Sequence, residues 1–253
     1  MTAPATGAAP ASRILRAQTR IELLLTLRRG ESILLTFAIP VVLLAFFSKV
    51  DILPTPTSGD PVDFLFPGIL ALAVMSSALV SVAIATGFER QMGVLKRLGA
   101  SPLTRRQLLA AKTASVVVIE ALQVVVLVLE ALALGYRFSA PSVLAAAAAA
   151  LLATIAFAGL ALLLAGTLPA LTTLAAANGV YLLLLLLGGM VIPLAKLPAA
   201  LRAVSQATPA GALSEVFHGA LGPGGTVPGH AWFVLAAWAI ASPLVAARLF
   251  RWE

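Results

Sequence analysis

The sequence predicts an all-α fold, a polytopic membrane protein with six transmembrane helices. Three observations predict it. Of the 253 residues, 60% are hydrophobic and 11% are charged, outside the range of soluble domains. The apolar residues gather into runs of roughly 20, the length that crosses a bilayer core, and the chain holds about six of them. The basic residues gather at the ends of these runs, which reads the formal charge of +7 as membrane topology and not as a nucleic-acid surface. No sizeable soluble domain fits beside six spans. Cysteine is absent, so disulfides and cysteine-ligated metal are excluded.

Residues 1–12 are almost entirely Ala, Pro, Thr and Gly with nothing to pack, and are expected to be a disordered tail. They do not read as a signal peptide, because the first long apolar run begins only near Ile33. Residues 13–253 are expected to form one six-span domain. Its first element is an interfacial helix over 13–29, in which Ile14, Ile21 and Leu25 share one face and Arg13, Arg16 and Arg20 oppose them. Leu23 interrupts that pattern. Span one covers 32–48, with Pro40 at its middle as a kink site. The proline-rich, acidic stretch 50–63 follows as an outward loop, and span two covers 64–88 with Ser76, Ser77 and Ser81 in its interior as helix-contact residues.

Residues 89–112 form the longest polar interval. Arg90, Lys96, Arg97, Arg105, Arg106 and Lys112 stand there against one acid, Glu89, which places the block on the cytoplasmic side. Met92, Leu95 and Leu98, with Val94 beside them, fall on one side of a short helix, and Arg90 and Arg97 on another. Such a helix lies along the membrane surface. Gly99, Ala100, Ser101 and Pro102 end it. Thr104 and Gln107 then match a capping box that starts the next helix.

Span three, 113–134, holds Glu120, Gln123 and Glu130. An ionisable group at membrane depth costs about 3 kcal/mol on insertion scales, so each needs an explanation. Glu130 lies near the outward turn at Gly135 to Arg137 and reads as a snorkelling acid paired with Arg137. Glu120 lies deeper and can share a face with Gln123. These two residues leave two readings open: a substrate path or subunit interface, and a structural hydrogen bond to another helix. Spans four and five cover 143–168 and 171–192, separated by Pro169, and Asn178 in span five leaves the same two readings open. The segment 193–228 contains two short amphipathic stretches, 199–207 and 211–221, expected to dip into the outer leaflet. Span six covers 231–249, with Trp232 and Trp252 as interfacial anchors.

On this topology, thirteen Lys and Arg residues fall inside and four outside, so both termini are expected in the cytoplasm. No G-x-x-x-x-G-K-S/T loop is present, so the chain carries no ATP site of that kind. His218 and His230, twelve apart among glycines and prolines, read as loop histidines, and no metal site is predicted.

The order of features from Glu89 to Lys112, with an acid at the end of a span, then GVLKRL, a small-residue break, Pro, a helix start and a Lys opening the next span, resembles the cytoplasmic segment of the ABC transporter type-2 permease family. The paired short helices before span six are also similar to that family. The resemblance covers the chain from about Arg13. It implies the permease subunit of an exporter, not itself an enzyme, working as a pair of six-span chains, identical or related. ATP and magnesium would sit on a separate P-loop ATPase subunit. It further implies that Met92, Gly93, Val94, Leu95, Lys96, Arg97, Leu98 and Pro102 form a coupling helix docked on that ATPase. The chain has no added soluble domain, which resembles the daunorubicin-type multidrug branch in a bacterial cytoplasmic membrane. Its cargo would be amphipathic, drug-like or lipid-like, and a rare acid such as Glu120 suits a cation. Polysaccharide export within the same family, and proton-coupled transport through Glu120 and Glu130, are the alternatives.

Overall fold

The computed structural model describes residues 10–28, 30–50, 60–100, 103–138, 142–223 and 225–250. Among these residues the secondary structure is helical throughout. The helices are α1 (Ala11–Arg28), α2 (Gly30–Lys49), α3 (Pro61–Met75), α4 (Val82–Gln91), α5 (Val94–Gly99), α6 (Arg105–Ala133), α7 (Val143–Thr167), α8 (Ala170–Leu187), α9 (Ala199–Gln206), α10 (Pro209–Leu221) and α11 (Gly229–Leu249). Five runs are long and apolar enough to cross a membrane: Pro61–Gln91, Arg106–Ala133, Val143–Thr167, Ala170–Leu187 and Gly229–Leu249. Where span one was expected, α2 contains a shorter apolar helix, Thr36–Lys49.

The run from Pro61 to Gln91 is the centre of the protein. It is the most deeply buried of the five runs, and Phe66, Leu65, Ile69, Leu72 and Met75 are sealed in the core. It is longer than the expected 64–88 and is interrupted at its middle by a π-helical segment, Ser76–Ser81, between α3 and α4. A π segment carries one more residue per turn than its flanking helix and is frequent at functional sites.

Close packing around this core relies on small residues, because lipid offers helices no hydrophobic drive to associate. In α7, Ala146, Ala149, Ala153, Ala156, Ala161 and Ala165 are all buried. The α7 glycines 159 and 166 both abut the final helix segment: a Cβ on Gly159 would lie 2.6 Å from Pro243 N, and one on Gly166 would lie 2.5 Å from Phe250 Cδ2. Ser242 Oγ donates to Ala156 O at 2.7 Å across the same contact.

At one end of the bundle, α9 and α10 form a cap. The stretch expected to dip shallowly near 211–221 is a helix with ten of its 13 residues buried, packed on α3, α7 and α11. Its Tyr136 neighbour donates its hydroxyl to Leu221 O and stacks near Phe66. Burial, with the Asp63 carboxylate adding to it, pushes the Tyr136 phenol up to about 12, so that proton stays in place. His218 lies within α10 and not in a loop, with its ring against Phe64 and its nitrogens at Ser214 O and Phe64 O. His230 is at the start of α11, 2.8 Å from Glu215.

Other boundaries differ from the sequence expectation. Ala11 and Ser12, assigned to the tail, belong to α1, and residues 1–9 lie outside the described residues. Span five ends at Leu187 and not at 192, because Gly188 and Gly189 turn the chain, Gly189 at φ +69° where only glycine sits without strain. Pro40 lies inside one helix, α2, whose bounds run through it. The loop residues 51–59, Pro102 and Trp252 lie outside the described residues.

Candidate functional site

The polar interval folds into a platform at the end of the bundle opposite the cap. After Gln91, Met92 ends α4, and Gly93 takes a left-handed backbone at φ +70°, which L side chains rarely adopt. The short helix that follows, Val94–Gly99, is six residues long. The expected helix face splits accordingly: Met92 and Gly93 are in the turn, and only Val94 to Leu98 are helical. Leu95 is fully buried within this chain and Leu98 packs partly against the same core, while Met92, Lys96 and Arg97 face outward.

Two devices anchor the platform. Arg90 donates to Ala165 O and Leu168 O, both at 2.9 Å, and so caps the last carbonyls of α7. Thr104 and Gln107 form the expected capping box at the start of α6, with Gln107 N donating to Thr104 Oγ1 at 3.2 Å and Thr104 N donating to Gln107 Oε1 at 2.9 Å. Thr104→Ala is expected to lower stability by about 1 kcal/mol. Thermal unfolding in detergent measures it, and no change would mean the cap is dispensable to α6.

Behind the platform lies a buried ion cluster. The Lys112 ammonium donates to Glu22 Oε2 at 2.8 Å and to Glu89 Oε2 at 2.7 Å, and Gln18 Nε2 donates to Glu22 Oε1 at 2.9 Å. Three helices meet there: α1, α4 and α6. The sequence placed Lys112 and Glu89 in the basic block and α1 at the interface, but did not pair them. The signals were present: Gln18 and Glu22 lie four apart on the α1 face that is buried, while Ile21, Leu24 and Leu25 are exposed. Gln18 and Glu22 thus face inward, while Arg13, Arg16 and Arg20, the expected polar face, are exposed and Ile14 packs partly against the core.

Adjoining the cluster is a cavity of about 440 Å³, within the range of small-molecule sites. It runs between α1, α2, α3, the π segment, α4, α6 and α8. Apolar walls come from Ile39, Leu72, Val80, Ile84, Val116 and Ile119, and polar ones from Thr26, Thr36, Ser76, Ser81, Ser115 and Tyr181, with Glu22 and Lys112 also lining it.

The polar residues singled out in the spans fall in different places. Gln123 ties three elements together: its Nε2 donates to Thr36 O at 2.9 Å and its Oε1 accepts from Ser77 Oγ at 2.8 Å. Thr36 O is the carbonyl that Pro40, lacking an N–H, cannot engage, so Gln123 satisfies a group the proline frees. Glu120 faces α7, where Thr154 Oγ1 donates to its Oε2 at 2.5 Å, and its Oε1 is buried without a partner. Glu130 lies near the backbone of Ala45 in α2, and no ion pair among the described residues joins it to Arg137. Neither acid lines the cavity. Asn178 does, on the exposed side of α8, with its amide donating to Leu174 O of its own helix at 2.9 Å. No group of three or more His, Asp or Glu residues that could hold a metal is present among the described residues.

The family model for ABC-2 type transporters matches residues 14–221, from α1 to the end of α10. No curated protein matches the chain. The match takes in the platform, the ion cluster, the cavity and five of the six apolar helices. The chain belongs to the ABC-2 type transporter family and is a multi-pass membrane permease subunit of an ABC-type transporter.

Proposed function

We propose that this permease exports an amphipathic, drug-like or lipid-like molecule from the bacterial cytoplasm, driven by a separate P-loop ATPase that docks at the platform between α4 and α6. The observation that carries this reading is the platform itself. Met92, Lys96 and Arg97 are exposed on a short helix that is fixed from below by Leu95 and tied through Glu89 and Lys112 to α1 and α6. A push on that helix reaches three others through packed and ion-paired contacts. Coupling requires the two states to differ in those contacts. Two copies of the chain, or this chain and a related one, would enclose the path, with both termini on the ATPase side and residues 13–253 acting as one domain. ATP and magnesium would be held by the ATPase. Glu120 and Glu130 lie outside the cavity, which favours this reading over a proton-driven carrier using them.

Leu95 and Leu98 support α5 from within, so substituting them would test folding and not docking. The outward residues are the ones to change. A Met92→Asp, Arg97→Glu double variant, purified with its native membrane partners, is expected to lose a co-purifying ATP-hydrolysing subunit by at least about tenfold, the scale of one lost charged contact. Retention of that subunit at wild-type level would remove α5 as the docking element. Absence of any ATPase from the wild-type preparation would remove the exporter reading itself.

A further inference from the structure

We infer that the cavity beside the ion cluster is a binding site for the cationic head of an amphipathic cargo, an onium or protonated amine with an apolar body. This rests on the exporter reading and deepens it. It also moves the cation site away from Glu120, which the sequence suggested, because Glu120 is buried against Thr154 and does not line the cavity.

The donors and acceptors of the wall select the charge. A hydroxyl has one proton and two lone pairs. Four lining hydroxyls spend their proton elsewhere: Thr26 Oγ1 on Glu22 O at 2.9 Å, Ser115 Oγ on Lys112 O at 2.8 Å, Ser77 Oγ on Gln123 Oε1 at 2.8 Å and Ser81 Oγ on Ser76 O at 3.5 Å. What remains on those oxygens is acceptor capacity. The one ammonium in the lining, Lys112, already donates to two carboxylates, and one of these, Glu22, is itself part of the lining. Ser76, Tyr181 and Asn178 also line the cavity and can donate to neutral groups, but the cluster beside it holds two carboxylates against one ammonium, and an anion would face that excess of negative charge. A cation or an N–H donor would be solvated by the acceptor oxygens, as water solvates it outside.

The shape agrees with an amphipath. Apolar Ile39, Leu72, Val80, Ile84 and Ile119 form the rest of the wall and can take an aromatic or aliphatic body. The π segment supplies Ser76, Ser77 and Ser81 to the polar part, and π segments are frequent at functional sites.

The test uses the full-length chain in detergent with rhodamine 6G, a fluorescent amphipathic cation, and fluorescein, an anion built on the same ring system, both read by anisotropy. Wild type is expected to bind rhodamine 6G saturably and not fluorescein. Glu22→Gln keeps an oxygen for Lys112 but removes the charge, and should weaken rhodamine 6G about tenfold. Ala85→Phe, which fills the cavity from α4, should abolish binding. Asn178→Leu, at the exposed rim, guards against misfolding of either variant and should weaken binding while leaving the unfolding temperature unchanged. Fluorescein binding as tightly as rhodamine 6G, no saturable rhodamine 6G binding by wild type, or rhodamine 6G affinity unmoved in all three variants would each overturn the assignment. Co-purification of the ATPase is scored on the same variants. If the ATPase is retained and the dye is not bound, the cargo class falls and the exporter reading stands; dye binding without any ATPase gives the reverse.

Discussion

Replacing Lys112 by alanine is expected to destabilise the protein by about 3–5 kcal/mol, because it strands two carboxylates that are almost wholly buried. Lys112, Glu22 and Glu89 are only 3%, 7% and 6% exposed. With the ammonium present, two charge-assisted hydrogen bonds of 2.8 and 2.7 Å offset the cost of burying the charges. Without it, Glu22 and Glu89 repel each other, and the contact of α1 with α6 is weakened. Tryptophan fluorescence in detergent should show an unfolding temperature lower by about 10 °C. Adding Glu22→Gln and Glu89→Gln to the same chain removes the stranded charges and should recover most of the loss. A single Lys112→Ala variant as stable as wild type would show that the cluster carries no weight in the fold, and would undercut its place in coupling.

Gly159→Ala is the second large effect, expected to cost about 1–3 kcal/mol by overpacking. The added methyl would stand 2.3 Å from Ser242 Oγ, 2.6 Å from Pro243 N and 2.8 Å from Ser242 C. Two of those three atoms are backbone, so relief requires α7 and α11 to move apart, and the Ser242 to Ala156 hydrogen bond would lengthen with them. Gly179→Ala in α8 is the matched control. Nothing lies within 4 Å of that position, so alanine's better helix propensity should leave the chain equal or more stable by about 0.5–1 kcal/mol. Equal thermal stability of the two variants would mean that the α7 and α11 contact yields without cost.

Much of the architecture was legible before the structure. Hydrophobic runs of membrane length located the apolar helices, and Thr104 with Gln107 located the start of α6 down to its reciprocal hydrogen bonds. The short helices before the last span were legible from their prolines and glycines. The platform was legible as an amphipathic break in a hydrophobic chain, but which side faced inward was not. Met92, Leu95 and Leu98 share a helical face on paper, yet the left-handed turn at Gly93 separates Met92 from it, and Leu95 is taken up by the chain's own core. In α1 the inward side was likewise not legible: Gln18 and Glu22 are buried while Ile21 and Leu25 are exposed.

The sequence by itself determined that the apolar runs are helices and roughly where they lie, because burying an unpaired backbone in lipid is so costly that any apolar run of sufficient length must become a helix. It also determined the local caps and breaks, whose partners lie within four residues. Only the tertiary structure decided which polar groups meet. Lys112 finds Glu22 across 90 residues, Gln123 finds Thr36 across 87, and Arg90 finds Leu168 across 78. Those meetings depend on how far each helix is rotated about its axis and where it crosses its neighbours. Small residues such as Gly159 and the alanines of α7 set those crossings through contact with helices remote in sequence, so hydropathy along the chain does not record them.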